Sequence, residues 1–333
     1  MVPTVSKKAI LHIGSGKTGS TSIQASLSKL PDTVPISYPK LLTYTNNQIF
    51  RFAFCRLEDT PKNIKLKYEN DPAGFIEFQK AIIDDFAQAN TLNNNDVIIS
   101  SEFLFLSSKN EVLAIKEFLT SLGFDQFHVV AYVRNPESYY LSVAQQALKT
   151  GPKLPQPSSF EYSIKNAIEN WQNLEANSFT LREFSREKLI GNDVVKDFES
   201  FLGDMGINCT LPNAKKQNET MSAEATQIIQ DAQRTLKNNA LDKQLMLDSW
   251  GVIRKFVASD RARLGTKPKL KKEIAQMIGW RFRDEVNFLV DNYNILTKSE
   301  VNECYQKHQY KEFYDVIDEF SVETYLDLKG LKS

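Results

Sequence analysis

The stretch Lys8-Ala9-Ile10-Leu11-His12-Ile13-Gly14-Ser15-Gly16-Lys17-Thr18-Gly19-Ser20-Thr21-Ser22 decides the fold. Its first six residues are a short, largely aliphatic run that predicts a strand, and Gly, Ser and Thr then make a loop. Beyond the loop Ile23, Leu27 and Leu30 recur at helical spacing. Strand, glycine loop and helix N-terminus together form a site for an anion. Successive backbone N–H groups make a concave nest, and the first helical turn carries partial positive charge. Small residues let the backbone approach a phosphate closely, hydroxyls add donors, and Lys17 supplies a mobile point charge. A Gly-rich loop alone is a weak motif, so its length matters. A Walker A loop needs glycine five positions before the glycine of its Gly-Lys pair, and Leu11 stands there. The loop is too short to wrap a β-phosphate in that way.

Outward from this loop, strand and helix patterns alternate. Phe75, Phe78, Ile82 and Phe86 predict a helix over roughly 74–89, and Asp96-Val97-Ile98-Ile99-Ser100 a short buried strand. Val112, Ile115, Leu119 and Leu122 mark a helix that Gly123 stops, and Phe127–Val133 reads as a third strand. Asn135-Pro136 opens another helix, with Asn a good N-cap and Pro suited to the first position. Ser158 and Glu161 form a capping-box pattern for a helix to about 176, after which Ser178–Arg182 reads as a fourth strand. A helix through Val194, Phe198 and Phe201 follows. Residues 31–73 read as an irregular insertion with one short helix, and beyond about 222 only helical periodicity is found. The expectation is an α/β fold with a mostly parallel sheet. It is one domain over 1–333, with a sheet core over about 8–220 and a helical C-terminal subdomain over about 222–330.

The 333 residues carry 41 basic and 41 acidic side chains, so no global field draws the chain to nucleic acid. Cys55, Cys209 and Cys304 lie far apart, without metal spacing or a disulfide framework, which fits a reducing compartment. The first eight residues have no apolar h-region and no run is long enough for a membrane span, so a cytoplasmic protein is expected.

Three further positions bear on the loop. Arg134 ends a predicted parallel strand, where open α/β sheets bind ligands, and Ser142 lies on the helix that follows. An Arg fork and a hydroxyl there suit a second phosphate group, although a strand-end Arg also serves in salt bridges. Glu102, just after the strand ending at Ser100, is the candidate general base; the competing reading is a solvent-facing cap of the next helix. His12 reads either as a contact to substrate or cofactor or as a structural residue of a buried strand, and His128 and His308 have no supporting context.

Lys17-Thr18-Gly19-Ser20-Thr21-Ser22, after a strand-ending Gly14, resembles the 5′-phosphosulfate loop of sulfotransferases that use 3′-phosphoadenosine 5′-phosphosulfate (PAPS). The leader Leu11-His12-Ile13-Gly14 is similar to the bacterial, carbohydrate-type branch of that family. In the family an Arg at a strand end and a Ser eight residues later hold the 3′-phosphate, and Arg134 and Ser142 have that order and spacing. Phe179–Phe184, Lys188-Leu189 and Asp193–Phe198 resemble its later strand and helix, and Asn218–Ser222 its short loop before the C-terminal helices. The resemblance covers about 8–30 and 96–235 in pieces, and 31–73 and the C-terminal third carry little of it.

It implies a P-loop-like three-layer fold and transfer of a sulfuryl group from PAPS to a hydroxyl of a carbohydrate or glycoconjugate, with no metal. Ser15, Gly16, Lys17, Thr18, Gly19, Ser20, Thr21 and Ser22 would hold the 5′-phosphate, with Lys17 neutralising the transferring group. Arg134 and Ser142 would fix the 3′-phosphate, Glu102 would take the acceptor's proton, and Phe184 is a candidate to stack on adenine. Two alternatives stay open: an ATP- or GTP-dependent kinase, and a catalytically dead nucleotide-binding scaffold. The basic run Arg261, Arg263, Lys267, Lys269, Lys271 and Lys272 reads as a solvated surface, or as a contact for an anionic acceptor or membrane surface.

Overall fold

The computed structural model describes residues 6–31, 33–42, 44, 47–91, 95–212, 220–238, 243–298, 303 and 309–330. The chain forms two compact units. One comprises Met1–Arg134, Ser163–Gln217 and Asn292–Ile295, the other Asn135–Tyr162, Asn218–Asp291 and Leu296–Ser333.

The first unit is built on a five-stranded sheet: β1 (Lys8–His12), β2 (Ile36–Ser37), β3 (Asp96–Ser100), β4 (Gln126–Val133) and β5 (Ser178–Glu183). The order is β2-β3-β1-β4-β5 and every pairing is parallel. Strands of a parallel sheet are covered on both faces and read as near-continuous apolar runs. Ala9, Ile10 and Leu11, Val97 to Ile99, and Val129 to Val133 are accordingly all buried. Side chains alternate between the two faces. Leu11, Ile99 and Val129 pack with Phe86, Leu119 and Trp171, whereas Ile10, Ile98 and Val130 pack with Ile23, Phe198 and Phe201.

The helices on these faces are α1 (Ser20–Leu27), α2 (Lys62–Tyr68), α3 (Pro72–Thr91) and α4 (Lys109–Ser121), then, after α5 (Pro136–Thr150) of the second unit, α6 (Ile164–Gln172) and α7 (Val194–Asp204). Helix, sheet and helix make the three layers of the expected α/β architecture.

Strands and long helices lie where their periodicity places them, and the differences have physical reasons. The 31–73 insertion holds β2, 3-10 turns at Asn47–Ala53 and Leu57–Asp59, and α2, more than the single short helix expected. β2 pairs only Ile36 and Ser37 with Asp96 and Val97, too few residues to show a period of two. The expected helix from Ser158 to about 176 begins instead at Ile164 and ends at Gln172. The Arg281 guanidinium donates hydrogen bonds to the Pro157 and Phe160 carbonyls (2.8 and 2.7 Å). The Phe160 carbonyl is therefore engaged where a helix from Ser158 would use it for the amide of Ile164. Phe160 and Tyr162 are buried on either side of exposed Glu161, an extended-chain alternation.

The second unit contains α5, α8 (Ala223–Asn238), α9 (Lys243–Ala258), α10 (Lys272–Arg281), most of α11 (Arg283–Tyr293), α12 (Phe313–Val316) and α13 (Val322–Lys329). Among its described residues beyond 222, extended pairing is limited to an isolated antiparallel bridge between Leu270 and Ile317. Cys55 and Cys209 are free thiols.

Candidate active site

Because all five strands are parallel, their carboxyl ends lie along one edge of the sheet. The loop Gly14–Gly19 leaves β1 there, Glu102 follows β3 by two residues, Arg134 follows β4 directly, and Phe184 follows β5 directly. Residues far apart in sequence thus meet because each lies within a few residues of a strand's carboxyl end.

The loop starts as a continuation of the sheet: the Ile13 and Ser15 amides donate to the Val130 and Tyr132 carbonyls (2.9 and 3.1 Å). The Ser15 hydroxyl also donates to the Tyr132 carbonyl (3.3 Å), so Ser15, expected at the 5′-phosphate, is buried and turned to β4. The backbone then reverses. Lys17 has φ +66° and Gly19, the N-cap of α1, φ +79°. The Thr18 hydroxyl donates back to the Ser15 carbonyl (2.5 Å) and closes the turn. The amides of Ser22 and Ile23 both reach the Gly19 carbonyl (2.9 and 3.2 Å). Those of Ser20 and Thr21 belong to the first helical turn, whose N–H groups lack intrahelical acceptors. Both ends of the loop sit close to their surroundings. A Cβ on Gly14 would come 2.8 Å from His12 Nε2, and one on Gly19 2.8 Å from Val194 Cγ1 and 2.9 Å from Phe184 Cε2.

Three charged side chains meet at this loop. The Arg134 guanidinium donates to the Lys17 carbonyl (3.3 Å), fastening the residue with positive φ. The Ser20 hydroxyl donates to Glu102 Oε2 (3.0 Å), so Glu102 faces the loop and not only the 3-10 turn Glu102–Leu106 that it begins. Burial pulls the Lys17 ammonium below the ordinary lysine value; Glu102 opposes this, and the Arg134 guanidinium adds to it. Lys17, Glu102 and Arg134 therefore sense one another within one unit. The Arg134 guanidinium also lies 5.6 Å from the centre of the Phe184 ring, in cation–π range.

His12 lies beneath the loop, with no exposed surface. Its Nδ1 is 2.7 Å from Ser100 Oγ, and its ring lies against Tyr132 and Phe198. His12 is thus part of the floor that supports Gly14. His128 is hydrogen-bonded to Ser178 Oγ (2.8 Å) between β4 and β5, and His308 lies outside the described residues.

Ser142 is on α5, in the second unit, and is half-buried. In the loop Asn218–Ser222, positions 218 and 219 lie outside the described residues. Two members of the basic run have structural partners. The Arg263 guanidinium donates to the Val257 and Ser259 carbonyls (2.5 and 2.6 Å) at the end of α9, and Arg261 donates to the Leu328 carbonyl (3.3 Å). Lys267, Lys269 and Lys272 are exposed.

Sequence reading missed the network behind the site. Asp197 of α7 is buried and accepts from the Tyr132 hydroxyl (2.7 Å), Arg182 Nη1 (2.8 Å) and the Ile190 amide (3.1 Å). It ties β4, β5 and α7 together directly behind the strand ends that present Arg134 and Phe184. The signal was there in the spacing: Asp197 stands three residues after Val194 and four before Phe201, a carboxylate on the apolar stripe of the helix, but its partners on β4 and β5 are not legible from that pattern.

No family model and no curated protein matches the chain. Among solved structures, it is similar to the sulfotransferase domain of the olefin synthase from Synechococcus PCC 7002, with a TM-score of 0.32 and 15% identity over 77% of this chain and 96% of that one. A likeness that slight assigns no family, and the chemistry has to be read from the site.

Proposed function

We propose that this chain transfers the sulfuryl group of PAPS to a hydroxyl of a carbohydrate or glycoconjugate acceptor. The observation that carries the reading is the meeting of Lys17, Glu102 and Arg134 at a loop too short to be Walker A. Two cations and one carboxylate, set beside helical N–H groups, suit an anion with more than one charged group and a proton to be taken nearby. The loop sequence Lys17-Thr18-Gly19-Ser20-Thr21-Ser22 supports the phosphosulfate reading over a nucleoside triphosphate.

The chemistry would resemble phosphoryl transfer in asking the protein mainly for positioning and charge stabilisation. Lys17 neutralises charge that builds on the bridging oxygen, while the N–H groups at the start of α1 hold the 5′-phosphate. Arg134 holds the 3′-phosphate, the role the resemblance also gives Ser142. Glu102 takes the acceptor's proton, and Phe184, backed by Arg134, offers a face to the adenine.

A thermal-shift titration tests this, using 3′-phosphoadenosine 5′-phosphate (PAP, the desulfated product) beside ADP and ATP–Mg²⁺. At 100 times its dissociation constant a ligand stabilises the native state by about 2.7 kcal/mol, which for a chain of this size raises the midpoint by about 4 °C. PAP alone is expected to give that shift, and Arg134→Ala to abolish it. A shift with ATP–Mg²⁺ alone would replace this reading with the kinase, and none with any nucleotide would favour the dead scaffold.

A further inference from the structure

Ser20 stands at a conflict between two acceptors. Its place at the start of α1 makes it a natural phosphate ligand, yet the residue is only 3% exposed and its hydroxyl donates to Glu102 Oε2 at 3.0 Å. A serine hydroxyl has one proton to give. Phosphate and carboxylate are both acceptors, so that proton serves one or the other at a given moment. Glu102 Oε1, in contrast, has no hydrogen-bond partner among the described residues. The backbone beneath this carboxylate is fixed as well. The Ser101 amide donates to the His12 carbonyl (3.1 Å), the Ser101 side chain caps the turn that Glu102 begins, and Gln24 of α1 donates to the Ser100 carbonyl (3.1 Å). Helix α1 is thus tied twice to the end of β3, once by Gln24 through the backbone and once by Ser20 through the reacting side chain.

We propose that Ser20 is a positioning residue for the base: its hydroxyl pins Glu102 Oε2 and leaves Oε1 to receive the acceptor's proton, while only its backbone N–H serves the phosphate. This rests on the sulfotransferase reading above. The acceptor O–H bond breaks and its proton goes to Glu102 Oε1 as the acceptor oxygen bonds to sulfur. The bond from sulfur to the bridging oxygen breaks, and PAP leaves with that electron pair; sulfur keeps its oxidation state. A carboxylate held by one oxygen has lost the rotation that would take the other out of line, which is where positioning gains rate.

The test uses water as acceptor, following release of inorganic sulfate from ³⁵S-labelled PAPS, with PAP binding measured alongside by calorimetry. Ser20→Ala is expected to lower kcat about tenfold or more. KM for PAPS and the Kd of PAP should stay within about threefold of the wild type, since the phosphate keeps its backbone donors. Ser20→Thr, which restores a hydroxyl, should recover most of the rate, a rescue that a loss of mere packing would not show. Tenfold weaker PAP binding with unchanged turnover at saturation would make Ser20 a phosphate ligand and overturn the proposal. Sulfate release by Ser20→Ala at the wild-type rate, with PAP bound as tightly, would show that the hydroxyl positions nothing and overturn the proposal. If the wild type does not bind PAP, the underlying sulfotransferase reading fails instead, before Ser20 is reached.

Discussion

Burial without a charged partner holds the His12 imidazole neutral, its pKa lowered from 6.5 to about 3. The sign of its effect on stability follows. Between about 3 and 6.5 the unfolded chain binds a proton on this ring that the folded chain does not. The stabilisation is therefore complete above 6.5, declines by about 1.4 kcal/mol per pH unit below it, and stops declining near 3. Replacing the ring by one that cannot titrate isolates this contribution from every other group. We expect the stability of the wild type relative to His12→Phe to fall by about 2 kcal/mol between pH 7 and pH 5, read from urea unfolding at each pH. Parallel curves would mean that the imidazole is not buried neutral. The same ring bears on Gly14. With His12 Nε2 only 2.8 Å from where a Cβ would stand, the loop's entry has room for glycine and nothing larger unless the ring moves.

Element by element, the chain is most legible where each segment carries its own period. The runs Val97-Ile98-Ile99 and Val129–Val133 announce buried parallel strands, and the residues just past them, Glu102 and Arg134, could be named as site candidates because parallel strands share a carboxyl edge. Pairings set by distant partners were not legible. Ser20 meeting Glu102, Asp197 meeting Tyr132 and Arg182, and the Arg281 guanidinium that forestalls a helix at Ser158 all join residues whose local patterns say nothing of one another. Arg51 is a further case, in the insertion that read as irregular. Its guanidinium makes two bonds to Glu111 (3.0 and 3.1 Å) and one to the Asp59 carbonyl (3.1 Å), with side-chain exposures of 4% and 7% for Arg51 and Glu111. Glu111 also completes the capping box of α4 with Ser108. The pair fastens the insertion to the start of α4. Glu111→Ala strands a buried guanidinium and is expected to cost about 3–5 kcal/mol, whereas Arg51→Met with Glu111→Leu should cost no more than about 1–2, mostly the lost cap. Denaturation midpoints of the two variants decide it; equal losses would show that the charge is not left uncompensated.

At the scale of the whole molecule the two units are held by different physics. The first is an apolar sandwich, with strand residues buried on both faces of the sheet. In the second, α8 buries a polar row at Glu224, Gln227, Gln230 and Gln233, each bonded to backbone groups of neighbouring segments. Gln230 donates to the Pro152 and Lys311 carbonyls and accepts from the Phe313 amide, and Gln233 donates to the Lys149 carbonyl. A helix that buries amides hides its inner face from any search for apolar periodicity, which is why this half of the chain yielded helices without an arrangement. Glu224 is the tightest point. It accepts from the Thr266 amide (2.9 Å), the Thr266 hydroxyl (2.7 Å) and the Ser321 amide (2.9 Å), and a Cβ on Gly265, at φ +113°, would overlap its carboxylate. Removing that carboxylate leaves three donors dry, so Glu224→Ala should cost about 3 kcal/mol or more. Glu224→Gln should fall between, because its NH₂ faces a donor where an oxygen stood. Trp280 reports on this unit: its indole N–H is buried without a partner among the described residues, and the Arg283 guanidinium lies 3.9 Å from the ring centre. With Trp280 as the sole tryptophan, its emission should follow the urea transition to a lower midpoint in Glu224→Ala. An unmoved midpoint would mean that the polar row is filled by water as readily as by Glu224, and that the second unit is held by its apolar contacts after all.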